Sequence, residues 1–86
     1  MIQIYTSKQC AYCVELTEKL TKLELKFMEI DVDDEKNKEP VGLMFEKAGE
    51  AVIPIITIPP HILVPKRSFV TIDNAIDLIQ SLLNQY

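Results

Sequence analysis

The chain is expected to form an α/β domain in the order β-α-β-α-β-β-α, with a mixed four-stranded sheet. Three features of the sequence lead there. Short β-favouring runs alternate with apolar residues at helical spacing, the run 53–58 is almost wholly apolar, and an apolar helix closes the chain. The 86 residues suffice for one domain, taken as 1–86, and 48% hydrophobic with 26% charged residues is ordinary globular composition.

Ile2-Gln3-Ile4-Tyr5 alternates apolar and polar side chains and reads as the first strand. A turn carrying Cys10 and Cys13 follows. From Cys13, the apolar positions Leu16, Leu20 and Leu23 recur every three to four residues, with charged residues between them. That is one face of a helix, with Cys13 on its buried side and Cys10 at the exposed tip. Phe27 to Val32 is the second strand, with Met28, Ile30 and Val32 on one face and Asp33-Asp34 ending it.

Pro40 fits only the first turn of a helix, so the second helix should begin near Asn37. Val41, Met44, Phe45 and Ala48 form its apolar face, and Gly49 suits a left-handed C-terminal cap. Ile53 to Ile58 reads as a strand buried on both faces, with Pro54 at its entrance, where no ladder bond is lost. Residues 67–70 are taken as the fourth strand and 59–66 as an extended hairpin connection. Ile72, Ala75, Ile76, Ile79, Leu82 and Leu83 trace the last helix, which Thr71 or Asp73 can cap. The strand-helix-strand start implies a parallel pair and the closing hairpin an antiparallel one.

Nine Lys and Arg against thirteen acids give a net charge of −4, which argues against general nucleic-acid binding. The most apolar run, 51–58, is too short for a membrane span and contains Pro54. Met1 leads straight into strand-like sequence without an export leader, so a cytoplasmic location is expected, the host cytoplasm if the chain is viral. In that setting two cysteines fit a redox or metal role better than a structural staple.

Both cysteines lie in Thr6-Ser7-Lys8-Gln9-Cys10-Ala11-Tyr12-Cys13, at the predicted start of a helix. Unpaired backbone N–H groups and the positive end of the helix dipole favour thiolate over thiol there. Cys10 is therefore the candidate nucleophile, and Cys13, one turn along, can resolve a disulfide formed on it. A closed zinc site wants four ligands; two cysteines and a distant His61 fall short, so no metal residue is assigned.

Together with Val52-Ile53-Pro54, the Cys10-Ala11-Tyr12-Cys13 motif makes the whole chain resemble the glutaredoxins, small members of the thioredoxin fold. Cys-Ala-Tyr-Cys is close to that family's Cys-Pro-Tyr-Cys, and Val-Ile-Pro to its Thr-Val-Pro. Tyr12 and the lack of any Trp separate the chain from the thioredoxins proper. Two departures stand out. Ala11 replaces the usual proline, and Val70-Thr71 stands roughly where the family has a glycine pair.

The resemblance implies a glutathione-disulfide oxidoreductase, with glutathione as reductant and no tightly bound cofactor. Its implied partners are disulfide-bearing or glutathionylated proteins, ribonucleotide reductase being one candidate; nucleic acid and membrane are not among them, and a monomer is expected. It implies a glutathione site of Lys8, Tyr12, Ile53, Pro54 and Asp73. In it Lys8 would favour the thiolate and attract a ligand carboxylate, a cis Pro54 would leave the Ile53 backbone beside Cys10 to pair with an extended substrate, and Asp73 would receive the ligand's amine. Plainer roles stay open: Lys8, Lys66 and Arg67 as solvated charges, Tyr12 as packing, Asp73 as a helix cap, His61 as a surface residue. Two other functions also stay open, a thioredoxin-like reductant served by a reductase, and an iron–sulfur or metal carrier using the CxxC pair.

Overall fold

A computed structural model describes residues 1–84; Gln85 and Tyr86, the end of the expected domain, lie outside the described residues. The strands are β1 (Ile2–Thr6), β2 (Phe27–Asp31), β3 (Ile55–Ile58) and β4 (His61–Leu63), and the helices are α1 (Ala11–Lys22), α2 (Lys38–Ala48) and α3 (Ile72–Leu83). A 3₁₀ turn, Glu35–Asn37, leads into α2. The sheet order is β2-β1-β3-β4, with β1 parallel to β2 and antiparallel to β3, and β3 antiparallel to β4. This is the expected mixed four-stranded sheet of a thioredoxin-like fold.

The alternation within strands divides the core between the two sheet faces. Ile2, Ile4, Ile56, Ile58 and Leu63 pack with Leu16 and Leu20 of α1 and with Ile72, Ala75, Ile76 and Ile79 of α3. Tyr5, Ile55 and Val64 face Val41, Met44 and Ala48 of α2. The sheet is thus a middle layer with α1 and α3 on one side and α2 on the other. All four residues of β3 are buried, as the central position of an almost wholly apolar strand requires. Burial also pushes the Tyr5 phenol above its ordinary value.

The structure differs from the sequence expectation at several places. The fourth strand is His61–Leu63, paired with Ile56–Ile58 through a turn at Pro59-Pro60, and not 67–70. The two prolines sit in the reversal itself, where no ladder donor is needed, so three residues are left to form a short edge strand. Residues 67–70 fold back instead. Lys66 N–H donates to the Phe69 carbonyl at 2.7 Å, and the Arg67 and Ser68 N–H groups donate to the Val64 carbonyl.

Strand β3 begins at Ile55, so Ile53 and Pro54 precede it. Met28 is exposed, because β2 is an edge strand. Leu23 is exposed as well: it is the C-cap of α1, and the chain then turns through Glu24 at φ 60, with Leu25 N–H donating to the Leu20 carbonyl.

The helix ends follow their sequences. Pro40 lies in the first turn of α2, which needs no N–H there. Gly49 caps α2 with φ 83. Thr71, not Asp73, caps α3, its hydroxyl accepting from Asn74 N–H at 3.1 Å. Arg67 is no simple solvated charge: its Nη1 donates to the Ala48 carbonyl at 2.6 Å and its Nε lies 3.5 Å from Glu50, covering the negative end of α2.

Candidate active site

Strand β1 delivers the chain to the turn 7–9, where Cys10 N–H donates to the Ser7 carbonyl at 3.1 Å. Ser7 donates through Oγ to Asp33 at 2.6 Å, fastening the turn to the segment after β2. Cys10 is the N-cap of α1, with extended backbone angles, and its Sγ accepts from Cys13 N–H at 3.2 Å. Its carbonyl already accepts from Val14 N–H, as an N-cap's should. The sulfur thus occupies the place of a capping oxygen, at the positive end of the helix, where charge on it is favoured.

Cys10 and Cys13 form a disulfide with their Cα atoms 5.2 Å apart. Cys10 is half-buried rather than fully exposed at the tip, and Cys13 is only 1% exposed. The asymmetry leaves Cys10 the more accessible sulfur to an incoming molecule.

Of the remaining expected site residues, the structure brings Tyr12, Ile53 and Pro54 together. They line a groove of about 220 Å³ with Val52, Pro65, Lys66, Phe69, Val70 and Ile72. The Ile53–Pro54 peptide is cis. Lys8 lies on another side, exposed, beside a small hollow that it shares with Thr6, Ser7, Cys13 and Glu29.

Asp73 is also outside the groove. It faces the seam between α1 and α3, where its carboxylate binds Lys19 Nζ at 2.6 Å, and Lys19 in turn lies 3.0 Å from Glu15. Asp73 first and Glu15 second push the Lys19 ammonium above its ordinary value. His61 is in β4.

Sequence reasoning missed Lys66 and Val70 as groove residues. Lys66 sits at φ 72, which only a tight turn demands, and no glycine marks that turn in the sequence. The one available signal was Val70 itself, standing near the place of a glycine pair. Among the described residues, no group of three or more His, Cys, Asp or Glu side chains could hold a metal ion.

A β-α-β-α-β-β-α sheet protein with a Cys-x-x-Cys disulfide at the start of its first helix is a thiol–disulfide protein of the thioredoxin fold. Within that class, the glutaredoxin family profile matches residues 2–58, and the chain belongs to the glutaredoxin family. A buckwheat glutaredoxin–glutathione complex shares 12% identity at a TM-score of 0.69, over 93% of this chain and 68% of that one. Wheat glutaredoxin shares 21% at 0.68, over 93% and 69%. A glutaredoxin from Brucella melitensis shares 25% at 0.62, over 93% and 78%. At the identities of the first two, the likeness is one of fold. No curated protein matches the chain. Family and CxxC pair together point to thiol–disulfide oxidoreductase chemistry.

Proposed function

We propose that the chain is a dithiol glutaredoxin that reduces protein disulfides and glutathione mixed disulfides at the expense of glutathione. The observation that carries this reading is the Cys13 N–H pointing at Cys10 Sγ at the start of α1, while Cys13 itself is buried. In the reduced protein the same donor stabilises a Cys10 thiolate. That thiolate attacks a substrate disulfide; a Cys10 mixed disulfide forms and one substrate sulfur leaves as a thiolate. Cys13, deprotonated, attacks Cys10 Sγ and expels the second substrate thiolate, so two electrons have passed and the Cys10–Cys13 disulfide remains. Two glutathione molecules restore the dithiol and leave as glutathione disulfide.

With a glutathionylated substrate, Cys10 alone suffices: it takes the glutathionyl group and a second glutathione removes it. Support for glutathione as the reductant comes from the family and from the buckwheat relative, whose structure is that of a glutathione complex. Lys8, Tyr12, Ile53 and Pro54 are the proposed contacts, and Asp73 joins them only on release from Lys19. The cytoplasm is the proposed compartment.

The test is glutathione-dependent reduction of a glutathionylated peptide by three proteins. The reading expects the wild type and Cys13→Ser to turn over and Cys10→Ser to be inactive. Full activity in Cys10→Ser would remove Cys10 as nucleophile. Turnover with a thioredoxin reductase but none with glutathione would remove the glutathione assignment and leave the thioredoxin-like alternative.

A further inference from the structure

The groove holding Tyr12, Ile53 and Pro54 has a chemical character that the thiol chemistry alone does not require. Its walls are Val52, Pro54, Phe69 and Ile72, and two of the most exposed large apolar side chains of the chain, Tyr12 at 66% and Val70 at 81%, stand on its rim. Exposed apolar groups gathered around one groove favour a partner that covers them. Among the described residues, Lys66 is the one formally charged side chain in the lining, in a protein of net charge −4.

The nearby acid on α3, Asp73, is turned to Lys19 and away from the groove. The groove therefore offers apolar surface and one positive charge and, among the described residues, no carboxylate to receive an amine. Its loop is held in place by the Lys66–Phe69 hydrogen bond and by Arg67 on the Ala48 carbonyl, so little ordering is left for binding.

We propose that this groove receives an extended, cysteine-bearing segment of a protein disulfide, in which a bulky apolar residue precedes the cysteine and a carboxylate follows it. The apolar side chain lies between Tyr12 and Val70, and the carboxylate meets Lys66. The proposal rests on the thiol–disulfide reading above and adds the class of protein substrate that Cys10 prefers.

Four eight-residue peptides test it, with Leu or Ser before the cysteine and Glu or Lys after it, each as a mixed disulfide with 2-mercaptoethanol. Reduced wild-type protein should act on the Leu/Glu peptide about 10-fold faster, in kcat/KM, than on the Ser/Lys peptide, the size of discrimination that a small apolar contact supplies. Val70→Ser should shrink the Leu-over-Ser ratio and leave the Glu-over-Lys ratio. Lys66→Asn, which suits a left-handed turn, should do the reverse.

Because each readout is a ratio within one protein, a general loss of activity does not imitate the result. Wild-type rates within twofold of one another, or ratios that survive both substitutions, would overturn the proposal while the thiol reading stands. If the wild type reduced none of the peptides and no small disulfide either, the thiol reading would fall, and this one with it.

Discussion

The Lys19 ammonium lies 2.6 Å from the Asp73 carboxylate and ties the last turn of α1 to the first turn of α3. The pair thereby joins the helix that carries the cysteines to the helix whose start borders the groove. It also removes from the groove the one acid that the family resemblance singles out for glutathione.

Lys19→Met should therefore act in two ways. It should lower the KM for glutathione by releasing Asp73, with Asp73→Asn reversing the gain, measured in the coupled glutathione assay. It should also lower stability slightly. Since the folded-state pKa of Lys19 is raised, the pair stabilises fully below the ordinary lysine value of about 10.4 and the contribution is lost as pH rises through the folded value. Urea unfolding at pH 8 should separate the two proteins, and at more alkaline pH or in high salt their difference should close.

Ala11→Pro should be tolerated. Ala11 is the first residue of α1, where a missing N–H has no helical partner to lose, and Cys10 before it already has extended angles, φ −98 and ψ 108. The expected gain is about 0.4–1 kcal/mol, from a stiffer unfolded chain. Thermal unfolding of the oxidised proteins measures it, and a clear loss would show that the turn needs the alanine.

Leu16→Ala and Leu23→Ala should differ sharply although both belong to one apolar repeat. Leu16 is 0% exposed between β1, β3 and α3, and its truncation should cost about 2–5 kcal/mol. Leu23 is 43% exposed beyond the last turn, so its truncation should stay within about 0.5 kcal/mol. Denaturant midpoints at constant slope provide the comparison.

Gly49→Ala should destabilise by about 1–2 kcal/mol through its positive φ of 83, and a Cβ there would also come within 3.1 Å of Arg67 Nη2. Combining it with Arg67→Met should relieve the crowding but not the backbone cost, so the two changes should be non-additive in a double-mutant cycle.

Much of this architecture was legible because its signals are local. The spacing of Cys13, Leu16 and Leu20, the position of Pro40 and the glycine after Ala48 each fix an element through contacts within a few residues. The fourth strand was not legible, since His61–Leu63 is defined by its pairing with β3, and Arg67-Ser68-Phe69-Val70 offers an equally β-like run. The site divides in the same way. Cys10, Cys13, Tyr12 and the Ile53-Pro54 step lie in recognisable motifs. Lys66 enters the groove through a turn without glycine, and the engagement of Asp73 depends on a lysine 54 positions earlier on another helix.

The burial of Cys13 bears on how the protein would survive peroxide. With Cys13 only 1% exposed in the disulfide form, an oxidant meeting the reduced protein is expected at Cys10 first, giving a sulfenic acid there. Cys13, one turn away, condenses with it, a disulfide forms and water leaves. Over-oxidation to sulfinic acid must outrun a reaction partner already in place, and the damaged product is replaced by the same disulfide that the proposed cycle passes through.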